Sequence, residues 1–236
     1  MKPKKYVIVM LCLSVFLSFC SCGSKAGALL EDAKSLLSGE LSTNQAKELV
    51  QGNLDVIYHN SYTDDYLEMV NSTSAEAEQQ YYDGLDVEVQ FFEQYFGIEY
   101  DNEEIHSRLV ELYDQIYSKS QFSVGESVRD DEGNYVVTVT VQPLDIIQKS
   151  VEDLPPAVDQ FNSQYTQEQI DAMDEEAYKA YDAKWADMVI SVVEENLTDM
   201  DYLPEQTVEM KVAKSDDLWG ITDDSMGEID TLMIQY

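Results

Sequence analysis

The chain has 236 residues, with 47 Asp and Glu against 14 Lys and Arg, for a net charge of −33. A field of that sign repels nucleic acid and anionic headgroups, so nucleic-acid partners are excluded. At 44% hydrophobic and 11% aromatic, the chain is too apolar to be a disordered polyanion and has enough residues for a sizeable core.

The N-terminus reads as an export leader. Lys2, Lys4 and Lys5 form a basic segment, and an apolar run from Tyr6 to Phe19 follows. That run is shorter than the ~20 apolar residues a bilayer span requires. It ends in Cys20-Ser21-Cys22-Gly23-Ser24. With Cys12, these are the three cysteines of the chain. The body beyond Cys22 therefore has no disulfide, thiol nucleophile or Cys-ligated metal, and must be held by packing alone.

In chain order, residues 23–41 read as a tether with a short helical piece. Ser42 with Gln45 forms a capping box that opens a helix, with Val50, Leu54 and Ile57 at helical spacing. Tyr58, Tyr62 and Tyr66 fall at i, i+4 and i+8, which places them on one face of a continuing helix. They are the expected ligand-binding residues, since Tyr offers an apolar ring with a polar tip. Thr73 with Glu76 opens the next helix, whose apolar line Leu85, Val89, Phe92 and Phe96 stops at Gly97. Asp101 with Glu104 reads as the cap of a third, carrying Ile105, Leu109, Leu112 and Ile116.

The period then changes to two. Phe122, Val124 and Val128 read as one strand face, Asp131-Glu132-Gly133-Asn134 as a turn, and Val137, Val139 and Val141 as the returning strand. Leu144 to Leu154 reads as a short helix stopped by Pro155-Pro156. Thr166 with Gln169 opens one long helix through Met188 and Val192 to Asn196. Val208, Met210 and Val212, then a turn at Lys214 to Asp217 and Leu218 to Ile221, give a second hairpin, and Met226 to Ile234 a last helix. A lone hairpin is marginal. Both therefore join one antiparallel sheet of about four strands packed by several helices, an α+β fold in a single domain over 42–236.

The leader resembles those of bacterial lipoproteins, in which the cleaved bond precedes a cysteine that takes the lipid. Small Ser21 before Cys22 favours Cys22, giving a signal peptide over 1–22; Cys20, preceded by bulky Phe19, is the alternative. Together with the hairpin from Val124-Gly125-Glu126 to Val141-Gln142-Pro143-Leu144-Asp145 and the closing Leu218-Trp219-Gly220-Ile221 strand, the layout resembles lipoproteins of Gram-positive gut bacteria. That resemblance implies an NTF2-like or cystatin-like body, lipid-anchored on the outer face of the cell membrane. The expected site is the cavity between the Tyr58/Tyr62/Tyr66 helix and the inner face of the sheet.

Chemistry is sparsely provided. Gly-x-Ser-x-Gly, His-Glu-x-x-His, Gly-x-Gly-x-x-Gly and the phosphate-loop pattern are all absent, and no cofactor is expected. Glu103 and His106 form a Glu-x-x-His half-motif, and Asp55 lies one turn from His59. A mixed metal site from Asp55, His59, Glu103 and His106 requires their helices to be neighbours. The expected role is a non-catalytic binding or interaction module for an envelope protein, peptide or small molecule. A hydrolase working through paired carboxylates is the alternative.

Overall fold

The structure, a computed structural model, describes Lys5 and residues 37–38, 40–100, 102–215 and 218–236. The lipidation candidates Cys22 and Cys20, and most of the leader and tether, lie outside these residues. The elements run β1 (Leu37–Ser38), α1 (Thr43–His59), α2 (Asp64–Met69), α3 (Ser74–Phe96), α4 (Glu103–Tyr117), β2 (Gln121–Arg129), β3 (Tyr135–Gln142), α5 (Ile146–Ser163), α6 (Gln167–Asp171), α7 (Glu175–Asn196), β4 (Gln206–Ser215), β5 (Leu218–Ile221) and α8 (Asp223–Met233).

The expected α+β architecture is present. Strands β2 to β5 and the two-residue β1 form one antiparallel sheet in the order β1-β5-β4-β3-β2. Val137, Val139, Val141, Val208, Met210 and Val212 are buried on one face, while the residues between them are half-buried or exposed. Helices α1 and α8 lie against the sheet, α3 and α4 pair beside α1, and α7 bridges α4 and α5. Arg108 of α4 clamps α7 by donating to Glu194 through Nε (2.7 Å) and Nη2 (2.5 Å), and to Asp187.

Capping logic predicts most helix starts. The reciprocal Ser42–Gln45, Thr73–Glu76 and Thr166–Gln169 boxes are all formed. Gly97 takes φ +66° to end α3, a conformation that carries no Cβ penalty. The cap of α4 is Asn102, which accepts from the Glu104 and Ile105 N–H groups; the expected cap, Asp101, lies outside the described residues.

Four expectations are corrected. First, Tyr58, Tyr62 and Tyr66 do not share a helix. Asn60, at φ 45°, ends α1, and Thr63 caps a new helix by accepting from the Tyr66 N–H (3.1 Å). Asn tolerates the left-handed region and Thr competes for backbone donors, so the tyrosine spacing is interrupted. The chain folds back until the Tyr66 ring lies over Gly52, where an added Cβ would come within 2.0 Å of it. Gly52→Ala is expected to cost about 2 kcal/mol through overpacking, read as a lower urea midpoint with an unchanged slope.

Second, α5 continues through Pro155 and Pro156. Those residues remove two helical donors, but Leu154, Val158 and Phe161 are buried. Phe161 packs its ring 5.2 Å from Tyr181 and 5.5 Å from Trp185 of α7. Burial of such side chains contributes about 2 kcal/mol each, comparable with the proline penalty.

Third, the expected helix over 166–196 is two helices, because Asp174 accepts from the Ala177 N–H (2.8 Å) and starts α7 afresh. The restart shifts the apolar phase: Val189 and Val193 are buried, whereas Met188 and Val192 are only half-buried. Fourth, Val128 does not share the face of Val124. A bulge between Val124 and Ser127 lets Ser127 pair with Val137, turning Ser127 inward and leaving Val128 59% exposed.

Candidate functional site

The strongest concentration of perturbed groups lies where α1, α3, α4, α8 and the C-terminus meet. Glu88 of α3 accepts from the Tyr117 hydroxyl (2.8 Å) on one oxygen and from the Tyr236 hydroxyl (3.3 Å) on the other. Asp230 of α8 accepts from the Tyr58 hydroxyl, and the Tyr113 and Tyr236 hydroxyls bond each other. The Tyr58 and Tyr117 rings meet edge to face at 5.2 Å. Each contributor sits beside an apolar line: Glu88 next to Val89, and Asp230 next to Ile229. Folding the apolar stripes inward therefore carries both acids to the edge of the core.

That position decides their protonation. Burial pushes the Glu88 carboxyl up to about 7, with the Asp230 charge adding to the rise and the two tyrosine hydrogen bonds opposing it. Burial likewise raises Asp230 to about 6, against the lowering effect of the Tyr58 hydrogen bond. The phenols of Tyr58, Tyr113, Tyr117 and Tyr236 are all pushed up, again chiefly by burial. Glu88 therefore exchanges its proton near neutral pH and Asp230 somewhat below it, beside phenols that remain donors. Exposed Phe91 and Tyr95 stand beside it on α3, and Tyr95 meets Tyr236 edge to face at 5.3 Å.

Of the expected ligand-binding tyrosines, Tyr58 is fully buried in this cluster and Tyr66 is buried over Gly52. Tyr62 is half-buried and donates to Glu78 (3.1 Å). On the side of the expected cavity, the Tyr58 ring packs 6.1 Å from Phe122 of β2. A hollow of about 180 Å³ lies elsewhere, between α4 and α7, lined by Ile98, Tyr100, Ile105 and Lys179 among others. It is smaller than the roughly 300 Å³ at which small-molecule sites begin.

The four metal candidates do not converge. His59 donates from Nε2 to the Ser120 carbonyl (3.1 Å), stacks on Phe122, and has Asp55 at 3.8 Å. His106 pairs with Asp86 of α3 at 3.2 Å, and Glu103 is exposed at the start of α4. The Glu-x-x-His spacing thus points one residue at solvent and the other at a different helix. Among the described residues no three His, Cys, Asp or Glu side chains gather as a ligand set.

The comparisons with known proteins bear on the fold. No protein-family profile matches the chain, and no curated protein matches it. Among solved structures, YcdA from Bacillus subtilis, described as a lipoprotein, resembles this chain with a TM-score of 0.53 at 15% identity. The match covers 90% of this chain and 60% of YcdA, so the chain spans less than two thirds of that protein's length. At that identity the likeness concerns the arrangement of elements. No helix among the described residues is long and apolar enough to cross a membrane.

Proposed function

We propose that this chain is a lipid-anchored protein of the extracytoplasmic face of the cell membrane, and that its α+β body is a non-catalytic binding module for an envelope protein, peptide or small molecule. The observation that carries the second half is the internal use of the two most perturbed carboxylates. Glu88 and Asp230 direct their oxygens at Tyr117, Tyr236 and Tyr58, within a seam where five elements pack. A catalytic acid must instead reach the atom it protonates.

The anchor rests on the basic segment, the apolar run and the small residue before Cys22, and the fold likeness to a protein described as a lipoprotein agrees with it. The finer assignment, an NTF2-like or cystatin-like body, belongs to the same proposal and is supported by a sheet with helices on one face. One lipid chain holds a protein only marginally, so the several chains of a lipoprotein are needed for stable attachment. Cys22→Ala is expected to abolish incorporation of labelled palmitate and leave the protein unprocessed or released into the medium. Continued labelling of that variant would assign the lipid to Cys20.

The hydrolase alternative draws on one observation: two neighbouring carboxyls raised to about 7 and 6, with exposed Phe91 and Tyr95 alongside. Turnover of a glycoside or ester panel that disappears in Glu88→Gln would establish it and displace the binding reading.

A further inference from the structure

The leader residue Lys5 is described, and its position is informative: its side chain is only 6% exposed, seated against the folded body. Its ammonium lies 2.6 Å from the Gly97 carbonyl, 2.7 Å from Glu99 Oε1 and 2.8 Å from Asp182 Oδ1. The Tyr178 ring stands 5.9 Å away. Its backbone is engaged as well: the N–H donates to the Tyr181 hydroxyl (3.4 Å), and the carbonyl accepts from Asn162 Nδ2 (2.9 Å). An ammonium has three N–H groups, and three oxygens converge on it. The body thus contacts every polar group of a lysyl residue in a peptide chain.

The seat is built into the body. Asp182 is 1% exposed. Its Oδ2 accepts from the N–H groups of Glu99 (2.9 Å) and Tyr100 (3.0 Å), which fixes the carboxylate and aims Oδ1 into the seat. Among the described residues Oδ1 receives no hydrogen bond from the body, and its cation is Lys5. A carboxylate buried this deeply requires a compensating cation. The body holds its part of the seat from three directions: the end of α3 with the loop after it, α5 through Asn162, and α7 through Asp182.

We propose that this seat is a recognition site for the lysyl residue of a peptide. Lys5 of the chain itself shows the chemistry that the seat accepts, and cleavage ahead of Cys22 leaves the seat open in the mature protein. The proposal rests on the lipoprotein reading above and deepens it, because it names the partner chemistry: a basic peptide, which the acidic field of the body also attracts. An arginine offers a planar fork in place of a compact ammonium, so it matches three converging oxygens less well. A norleucine has the same stem and nothing for Asp182 to bind.

The test begins with the protein purified from cells after export, its N-terminus mapped by mass spectrometry. Nα-acetyl-lysine methylamide is then titrated calorimetrically beside its norleucine and arginine counterparts. An N-terminus at Cys22 with lysine bound at least about tenfold tighter than norleucine is the expected result. A retained leader would overturn the processing step alone, and the same titration on Lys5→Ala would then decide the seat. Equal affinity for lysine and norleucine, or no binding by natively melting protein, would overturn the proposal.

Asp182→Asn is expected to lose about tenfold or more in lysine affinity while still accepting the Glu99 and Tyr100 N–H groups. Should that variant fail to fold, Glu99→Gln and Asn162→Ala report on the ammonium and backbone contacts separately. Undiminished binding in both would also overturn the proposal.

Discussion

Leu109→Asp is expected to abolish the cooperative fold. Leu109 is fully buried at the centre of α4, on the line of Ile105, Leu112 and Ile116 that packs between α3 and α7. Removing the leucine forfeits about 3 kcal/mol of burial and leaves a cavity. The aspartate then either stays charged without a partner or takes up a proton at further cost, adding about 2 kcal/mol or more. The sum is comparable with the whole stability of an ordinary domain, roughly 5–15 kcal/mol. A circular dichroism melt should show a broad or absent transition. Exposed Glu111 on the same helix is the control, and Glu111→Ala should melt like the parent. A native melt for Leu109→Asp would mean that α4 presents a different face to the core.

The second large effect is a stability that falls as pH rises. Glu88 and Asp230 titrate near 7 and 6 in the folded chain, above their ordinary carboxylate values of 4.5 and 3.8. Between about pH 4 and 7 the folded state therefore binds more protons than the unfolded state. By linkage, this contribution to stability is complete below the unfolded values and is lost as pH climbs through 6 and 7. With both groups only half-buried by surface area, the loss is on the order of 3 kcal/mol for the pair. Glu88→Gln keeps an acceptor for the Tyr117 hydroxyl and cannot ionise. It should raise the melting temperature at pH 8, leave it nearly unchanged at pH 5, and flatten the slope between them. A parent protein whose stability rises over that interval, or a variant with the parental slope, would refute the assignment.

These two predictions draw on different depths of legibility. The Leu109 line and the caps of α1, α3 and α6 were readable because periodicity and capping act within one or two turns. The two proline residues of α5, the restart at Asp174 and the reversal at Asn60 were not. The prolines are tolerated because of packing distant in sequence, Phe161 on Trp185. At Asn60 and Asp174 a local cap outweighs a helical spacing that runs straight across it. The carboxylates carry no such local signal. Glu88, Asp182 and Asp230 each adjoin a buried apolar residue, but so do the exposed Glu104, Glu111, Asp153 and Glu228. Among 47 acids, only the packing of other elements over them sets the three apart. The tyrosine spacing misled because it matched a helical period across a segment whose Asn and Thr break the helix.

The pairing of β3 with β4 has a consequence for how the chain reaches its fold. Tyr135 to Val141 pair with Gln206 to Val212, and α5, α6 and α7 intervene in sequence. The β2–β3 hairpin is local and closes early, whereas the centre of the sheet must wait for a long loop to close. A chain that emerges N-terminus first from the ribosome therefore presents the valine-rich β3 edge, unpaired, until all three helices have emerged. Such an edge is a template for pairing with a neighbouring copy. The surplus of like charge carried by the body keeps copies apart during that interval, so the acidity guards an assembly step as well as the finished surface.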